Sequence, residues 1–463
     1  MANQIETTRA NKLLFFVLCA AIAFTALAYG AVHQPTIAVF YLLAVLVVCL
    51  WAFDAFSSGV LRFSRNSIQI PLLAAFLYGI FQIIPFGSAA NAAGFSDIPR
   101  TISLEPFETQ LAAAQFFALF IFLAASLTYI DTIRRLRAVA SFITIFGFAF
   151  AFFAILQAVL SPHKIYGIYE VPYATPFGSF VNRHNFAAYM ELTVAVPLGL
   201  MFAGAVGRDK RLLYVTAIAL MGVALLLSGS RGGLVSLLAE IFLLLILTTR
   251  TKSPAQLGIK IGLTVLLTAT IVFGAILIGG ESSLTRIAET ASSQDFTTNR
   301  THIWSVTLAV IKNNLPFGAG LGAFGVAYTP LDTLSGLERV EQAHNDYLQI
   351  LADAGIVGFI IAAFFVFKLF QNGLRNAKTS DKFRRGVCIG ALSGCFAVLV
   401  HSLFDFVLHT TAIALLFITL VSLVVTSGNK NADEREENSV SNRKRKTSAS
   451  GSVAPFEKRK RAV

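Results

Sequence analysis

RRLRAVASFITIFGFAFAFFAILQAVL, residues 134–160, opens with three arginines in four positions and then runs 23 residues without a charge. As a helix rising about 1.5 Å per residue, such a run crosses the roughly 30 Å hydrocarbon core of a bilayer. Its arginines mark the end that stays inside. The same pattern recurs along the chain. Apolar runs bounded by charge, Gly or Pro give twelve candidate spans: Leu13–Tyr29, Thr36–Phe53, Ile68–Ile84, Leu111–Tyr129, Ala138–Leu160, Phe186–Ala205, Leu212–Leu227, Leu234–Leu247, Ile259–Ile278, Tyr347–Phe370, Val387–Phe404 and Val407–Val425. The eighth is short and the last two are nearly continuous.

Composition agrees. Of the 463 residues, 56% are hydrophobic and 13% charged, where a soluble domain carries about 25% charge. So little charge cannot cover a soluble surface, and a string of soluble domains is excluded. The fold class is all-α polytopic membrane protein. Cys19, Cys49, Cys388 and Cys395 all fall inside apolar runs, where cysteine acts as a small hydrophobe. They predict neither a disulfide framework nor a metal site.

The net charge of +12 carries its meaning in its distribution. With the N-terminus inside, only eight of the 37 Lys and Arg fall outside: Arg100, Lys164, Arg183, Arg231, Arg286, Arg300, Lys312 and Arg339. Every inside loop is cationic, which supports both the span count and cytoplasmic termini. The first span ends in Ala26-Leu27-Ala28, resembling a cleavage site, yet is read as a retained helix because spans continue after it. The chain divides into residues 1–279 with nine helices, an outer loop at 280–346, three further helices at 347–426, and a basic tail at 427–463. The tail's runs Arg443-Lys444-Arg445-Lys446 and Lys458-Arg459-Lys460-Arg461 read as an inside anchor near anionic lipid headgroups, and no nucleic-acid partner is expected.

Two outer segments, Phe86 to Gln110 and Ser161 to Asn185, are moderate loops. In the long outer loop, Thr301 to Asn313 places apolar character at Ile303, Trp304, Thr307, Leu308 and Ile311, predicting an amphipathic helix at the interface. Pro316-Phe317-Gly318-Ala319-Gly320-Leu321-Gly322 then suits a tight turn.

Because insertion works against outer cations, those beside small residues are candidate anion ligands. Arg231 stands in Ser228-Gly229-Ser230-Arg231-Gly232-Gly233. The glycines leave room for an anion near the backbone, the N–H groups opening the next helix point toward it, and guanidinium matches phosphate oxygens. A boundary arginine snorkelling to the headgroups is the plainer alternative. Arg300 precedes the loop helix, where a cation opposes the helix dipole and needs some other partner. The plainer alternative there is a solvated loop charge. His344, at the entry to the tenth span, has the proton affinity to accept a hydroxyl proton near neutral pH, with Asp346 or Glu341 to orient it. Otherwise it is an interfacial loop histidine. His401, Asp405 and His409 follow at intervals of four, predicting one helix face at the outer end of the eleventh span. Either they act in function, as costly ionisable groups in apolar segments do, or they satisfy one another. Glu191, seven residues after His184, and Glu240 pose the same question deeper in the membrane. Arg183, His184, Arg231, Arg300, His344 and His401 all map to one face, and a cationic pocket with a base there suits a lipid-linked phosphate substrate.

At His344-Asn345-Asp346-Tyr347-Leu348-Gln349, continuing through Ala352-Asp353-Ala354-Gly355-Ile356-Val357-Gly358, the sequence resembles the bacterial O-antigen ligase and polymerase superfamily. Ser230-Arg231-Gly232-Gly233, the Pro316 to Gly322 stretch, and Phe177-Gly178-Ser179-Phe180-Val181-Asn182-Arg183-His184-Asn185-Phe186 match in order and spacing. The resemblance covers roughly residues 177 to 410. It implies a GT-C-type glycosyltransferase of the bacterial inner membrane, with about twelve helices and a large periplasmic loop between the ninth and tenth. It further implies transfer of a glycan from undecaprenyl pyrophosphate to a sugar hydroxyl of lipid A-core or, in the polymerases, to a lipid-linked repeat unit. By the same resemblance Arg231 and Arg300 hold pyrophosphate, and His344 is the base. Supporting positions are Arg183, His184, Asp346, His401 and Asp405. The leaving diphosphate needs charge stabilisation more than protonation, which two guanidiniums supply, so no metal and no cofactor are expected. The ligase reading leads and the polymerase reading follows closely. A proton-coupled transporter using Glu191, Glu240 and Asp405 is the rival from another class, opposed by the long outer loop and the lack of a visible inverted repeat.

Overall fold

The computed structural model describes residues 8–87, 99–172, 174–248, 300–333 and 339–429, together with positions 258, 262 and 265. Expected features at Ile259–Ile278, at Arg286 and in the basic tail from residue 430 lie outside the described residues. The helices are α1 Arg9–Leu27, α2 Gln34–Ser58, α3 Ile70–Gln82, α4 Pro106–Tyr129, α5 Ile133–Leu160, α6 Arg183–Phe202, α7 Arg211–Leu227, α8 Arg231–Thr248, α9 Arg300–Asn314, α10 Phe324–Tyr328, α11 Asp346–Asn376, α12 Lys382–His401 and α13 Thr411–Thr426. A hairpin of β1 Lys164–Ile165 and β2 Tyr169–Glu170 lies between α5 and α6. The chain is an all-α polytopic membrane protein. Among the described residues nine helices are long and apolar enough to cross a membrane, and Ser67–Gln82 and Thr411–Thr426 are shorter apolar helices.

Helix starts follow the local sequence. Asn182 accepts a hydrogen bond from the His184 amide at 2.8 Å, Asn345 accepts from Tyr347 and Leu348 at 3.0 and 3.1 Å, and Asp381 accepts from Arg384 at 2.8 Å. Each satisfies an amide that the first helical turn leaves without an intrahelical partner.

The centre of the bundle is α6, in which every residue from Asn185 to Leu200 is buried. It packs on α12 through Gly199, Gly386 and Gly390, where an added Cβ would run into the facing backbone. Small residues allow this approach, which suits a bilayer because association there rests on packing rather than on water exclusion.

At the opposite extreme from this regular pair, α11 is interrupted at Gly355, whose backbone (φ 61, ψ −156) is closed to other residues. The glycine-rich turn docks into the break. Ala319 N donates to Ala352 O at 2.8 Å, Gly320 N to Asp353 O at 2.9 Å, and Ile356 N to Pro316 O at 3.0 Å. Gln82 of α3 joins in, donating to Phe317 O and Asp353 O and accepting from Leu321 N. The helix thus keeps its backbone satisfied at the break by borrowing partners from the loop, as non-helical backbone at membrane depth requires.

α9, α10, the glycine turn and the start of α11 form an outer cap with a small core of Val306, Val310, Ala319, Phe324, Tyr328, Ala343 and Ala352. The expected loop helix exists, with Thr307 of its expected face buried, Ile303 and Ile311 packed on the cap core, and Leu308 departing from it. Val306, Thr307 and Val310 are buried while Leu308 is 58% exposed. α9 packs against the cap, so its buried face is set by α10 and α11 and not by a flat lipid interface.

Candidate functional site

α8 begins at Arg231, after Gly229 turns the chain with φ +68. Ser230 Oγ accepts from Gly233 N at 3.1 Å and lies 2.9 Å from His184 Nδ1. The glycines are required by packing. A Cβ on Gly232 would lie 2.8 Å from the His401 ring, and one on Gly233 would lie 2.8 Å from the Ala187 methyl. They make room for close packing against α6 and α12, and Arg231 itself is exposed.

Asp405 is the focus of a cluster that includes His344, Arg300 and His184. It is buried and lies in the stretch 402–410 that joins α12 to α13. His344 Nδ1 stands 3.1 Å from Oδ1, and Arg300 Nη2 donates to Oδ2 at 3.2 Å. His184 Nδ1 is 3.9 Å from the same Oδ2. Arg300 also donates to Phe404 O. Burial alone would raise the Asp405 pKa, but the His344 hydrogen bond and the charge of Arg300 outweigh it and hold the carboxyl well below the usual range. Asp405 is therefore ionised at neutral pH. With Nδ1–H of His344 directed at this carboxylate, the lone pair sits on Nε2, the tautomer that can accept a proton.

His344 has φ +50, which a non-glycine residue adopts only when its surroundings enforce it. Those surroundings are visible. Trp304 Nε1 donates to Ala343 O at 3.0 Å, Asn345 Nδ2 donates to Leu403 O at 3.0 Å, and Phe406 stands edge-on to the imidazole with ring centres 4.9 Å apart. The side chain stays 31% exposed, open to a substrate.

Two expected orienting residues have other partners. Glu341 pairs with Arg339 at 2.7 Å. Asp346 accepts from Ser402 Oγ at 2.7 Å and holds His409 Nδ1 at 2.9 Å. The His401, Asp405 and His409 set is also corrected, because α12 ends at His401 and the three do not share a helix face. Phe404 N and Asp405 N both turn back to His401 O, and each side chain takes its own partner. His401 Nδ1 meets Glu191 Oε1 at 2.8 Å, in a pair that is 1% and 0% exposed. The Asp346 carboxylate raises the pKa of His409 against the opposing effect of burial.

Three other outer cations, Lys164, Arg339 and Arg100, have partners outside this cluster. Lys164 pairs with Glu170 at 2.9 Å, Arg339 also approaches Glu105 at 3.5 Å, and Arg100 lies over the Phe86 ring. Lys312 sits in the last turn of α9, where a cation complements the dipole. Arg183 opens α6, its amide bonded to Thr175 O at 2.9 Å. Sequence reasoning did not single out Ser230, and it gave Asp405 no partner. The one available signal was Arg300, whose conflict with its own helix dipole required a counter-ion somewhere.

Residues 216–363 match the protein family described as O-antigen ligase. That stretch of the chain is similar to O-antigen ligase. The resemblance to the O-antigen ligase superfamily therefore holds, and comparison with curated proteins finds no match. The matched stretch contains Arg231, Arg300 and His344, whereas His184, Glu191 and His401 come from flanking helices and Asp405 from the segment after α12. The O-antigen ligase family implies a glycosyltransferase-like enzyme of ligase or polymerase type, acting in the membrane on lipid-linked glycans.

Proposed function

We propose that this protein transfers a glycan from undecaprenyl pyrophosphate to a sugar hydroxyl of lipid A-core at the periplasmic face of the bacterial inner membrane. The observation that carries the reading is the convergence of His344 and Arg300 on one ionised carboxylate, Asp405. Nε2 of His344 takes the proton of the acceptor hydroxyl as its oxygen attacks the anomeric carbon. The bond from that carbon to the phosphate oxygen breaks, and undecaprenyl pyrophosphate leaves as the anion. Asp405 then faces an imidazolium, a charge it stabilises without taking the proton. Arg231 and Arg300 receive the diphosphate charge as it develops. Arg300 spends part of its fork on Asp405 and Phe404 O, so the base and the anion site are mechanically linked through one side chain.

The test supplies purified protein with undecaprenyl-pyrophosphate-linked glycan, with and without lipid A-core, and separates products by size. A single shift that requires lipid A-core is expected. A ladder growing without lipid A-core overturns the acceptor assignment in favour of polymerisation. No glycan transfer, with proton-coupled uptake in proteoliposomes, overturns the enzyme reading.

A further inference from the structure

α6 carries His184 and Glu191 seven residues apart, two turns and one face. The first turn of α8 is held at two points along that face. His184 Nδ1 meets Ser230 Oγ at 2.9 Å. Two turns deeper, Glu191 Oε1 binds His401 Nδ1 at 2.8 Å, and the far edge of that ring occupies the space beside Gly232. Arg231 lies between these two held residues.

We propose that the buried Glu191–His401 pair is a positioning device for Arg231. Glu191 fixes the imidazole, and the ring is the surface against which Gly232 and the first turn of α8 rest. No side chain other than hydrogen fits at Gly232 without displacing the ring, so the α8 backbone has one height relative to α6 and α12. An interior that is close-packed transmits such a displacement instead of absorbing it. The pair is thereby assigned to the donor site, although neither residue reaches the exposed surface. This inference rests on the proposed role of Arg231 as a pyrophosphate ligand.

The test measures donor KM and kcat for the full-length protein in nanodiscs, and the Ki of inorganic pyrophosphate as a direct probe of the anion site. His401→Ala removes the ring, Glu191→Gln loosens its anchor, and Gly232→Ala pushes from the opposite side. Each is also combined with Arg231→Ala. Donor KM and pyrophosphate Ki are expected to rise by about tenfold in each single variant, below the roughly 10²-fold that a full 1 Å misplacement can cost in rate. In the Arg231→Ala background the same changes should add little, because the residue being positioned is gone. Equal fold-changes in both backgrounds, or unchanged KM and Ki in folded single variants, overturn the positioning role. If Arg231→Ala itself leaves donor KM and pyrophosphate Ki unchanged, it is the pyrophosphate role of Arg231 that fails.

Discussion

Asp405 and Asp54 are both buried, 2% and 1% exposed, both gather several side chains, and lie at opposite ends of the bundle. Asp54 of α2 accepts from Thr8 Oγ1 at 2.5 Å, Asn11 Nδ2 at 3.3 Å and Tyr129 Oη at 2.8 Å. Arg135 closes that cluster by donating to Asn11 and to Tyr129 O. Its donors are hydroxyls and an amide, and it ties α1, α2, α4 and α5 together. Asp405 instead gathers two histidines and an arginine that remain 31%, 23% and 21% exposed. A buried carboxylate therefore does not make a site by itself. The difference lies in whether its partners keep a reactive atom facing outward.

The sharpest way to break this comparison is to neutralise each hub. His344→Ala and Asp405→Asn should lower transfer by about 10²–10⁴-fold with protein level retained, since one removes the base and the other its tautomer and charge. Asp54→Asn should leave turnover per folded molecule close to the parent and instead lower stability by about 1–3 kcal/mol, read as a loss of thermal midpoint in detergent. Near-normal transfer by purified His344→Ala would remove the proposed base. A catalytic defect in well-folded Asp54→Asn would erase the distinction between the two ends.

A smaller effect separates the two histidine-bearing carboxylates of the outer face. The folded-state pKa of His409 is raised by Asp346, so its contribution to stability is fully present below its unfolded value near 6.5 and is lost as pH rises through the raised value. The stability difference between the parent and His409→Gln should be larger at pH 6 than at pH 9. Differential scanning fluorimetry across that window reads it, and a pH-independent difference would show that the pair contributes no linked proton.

How much of this was legible follows from the physics of each level. The spans were readable because a bilayer demands continuous apolar runs and cationic inner loops, and eleven of the twelve expected spans coincide with described helices. That Arg300, His344 and Asp405 lie at one end of the bundle followed from the same reasoning. Their pairing did not, because His344 and Asp405 are 61 residues apart and meet through an irregular stretch. The spacing of four from His401 to His409 imitated a helix, but Ser402 and Leu408 bond to Asp346 and the chain leaves the helix there. Likewise the glycines around Arg231 announced close approach without saying whether the neighbour was a ligand or the His401 ring.

The interruption of α11 at Gly355 has a mechanical consequence. The hydrogen bonds that would join its outer segment to its long inner shaft are spent on the Pro316 to Gly322 turn. The shaft presents Ile356, Phe359, Ile360 and Phe367 outward, where lipid tails press on it. A bilayer of changed thickness is met by tilting such a shaft. At Gly355 the helical geometry breaks, while Ala352 O and Asp353 O stay bonded to the glycine-rich turn. The segment that follows His344 is thus fastened to the loop turn as well as to the shaft below it.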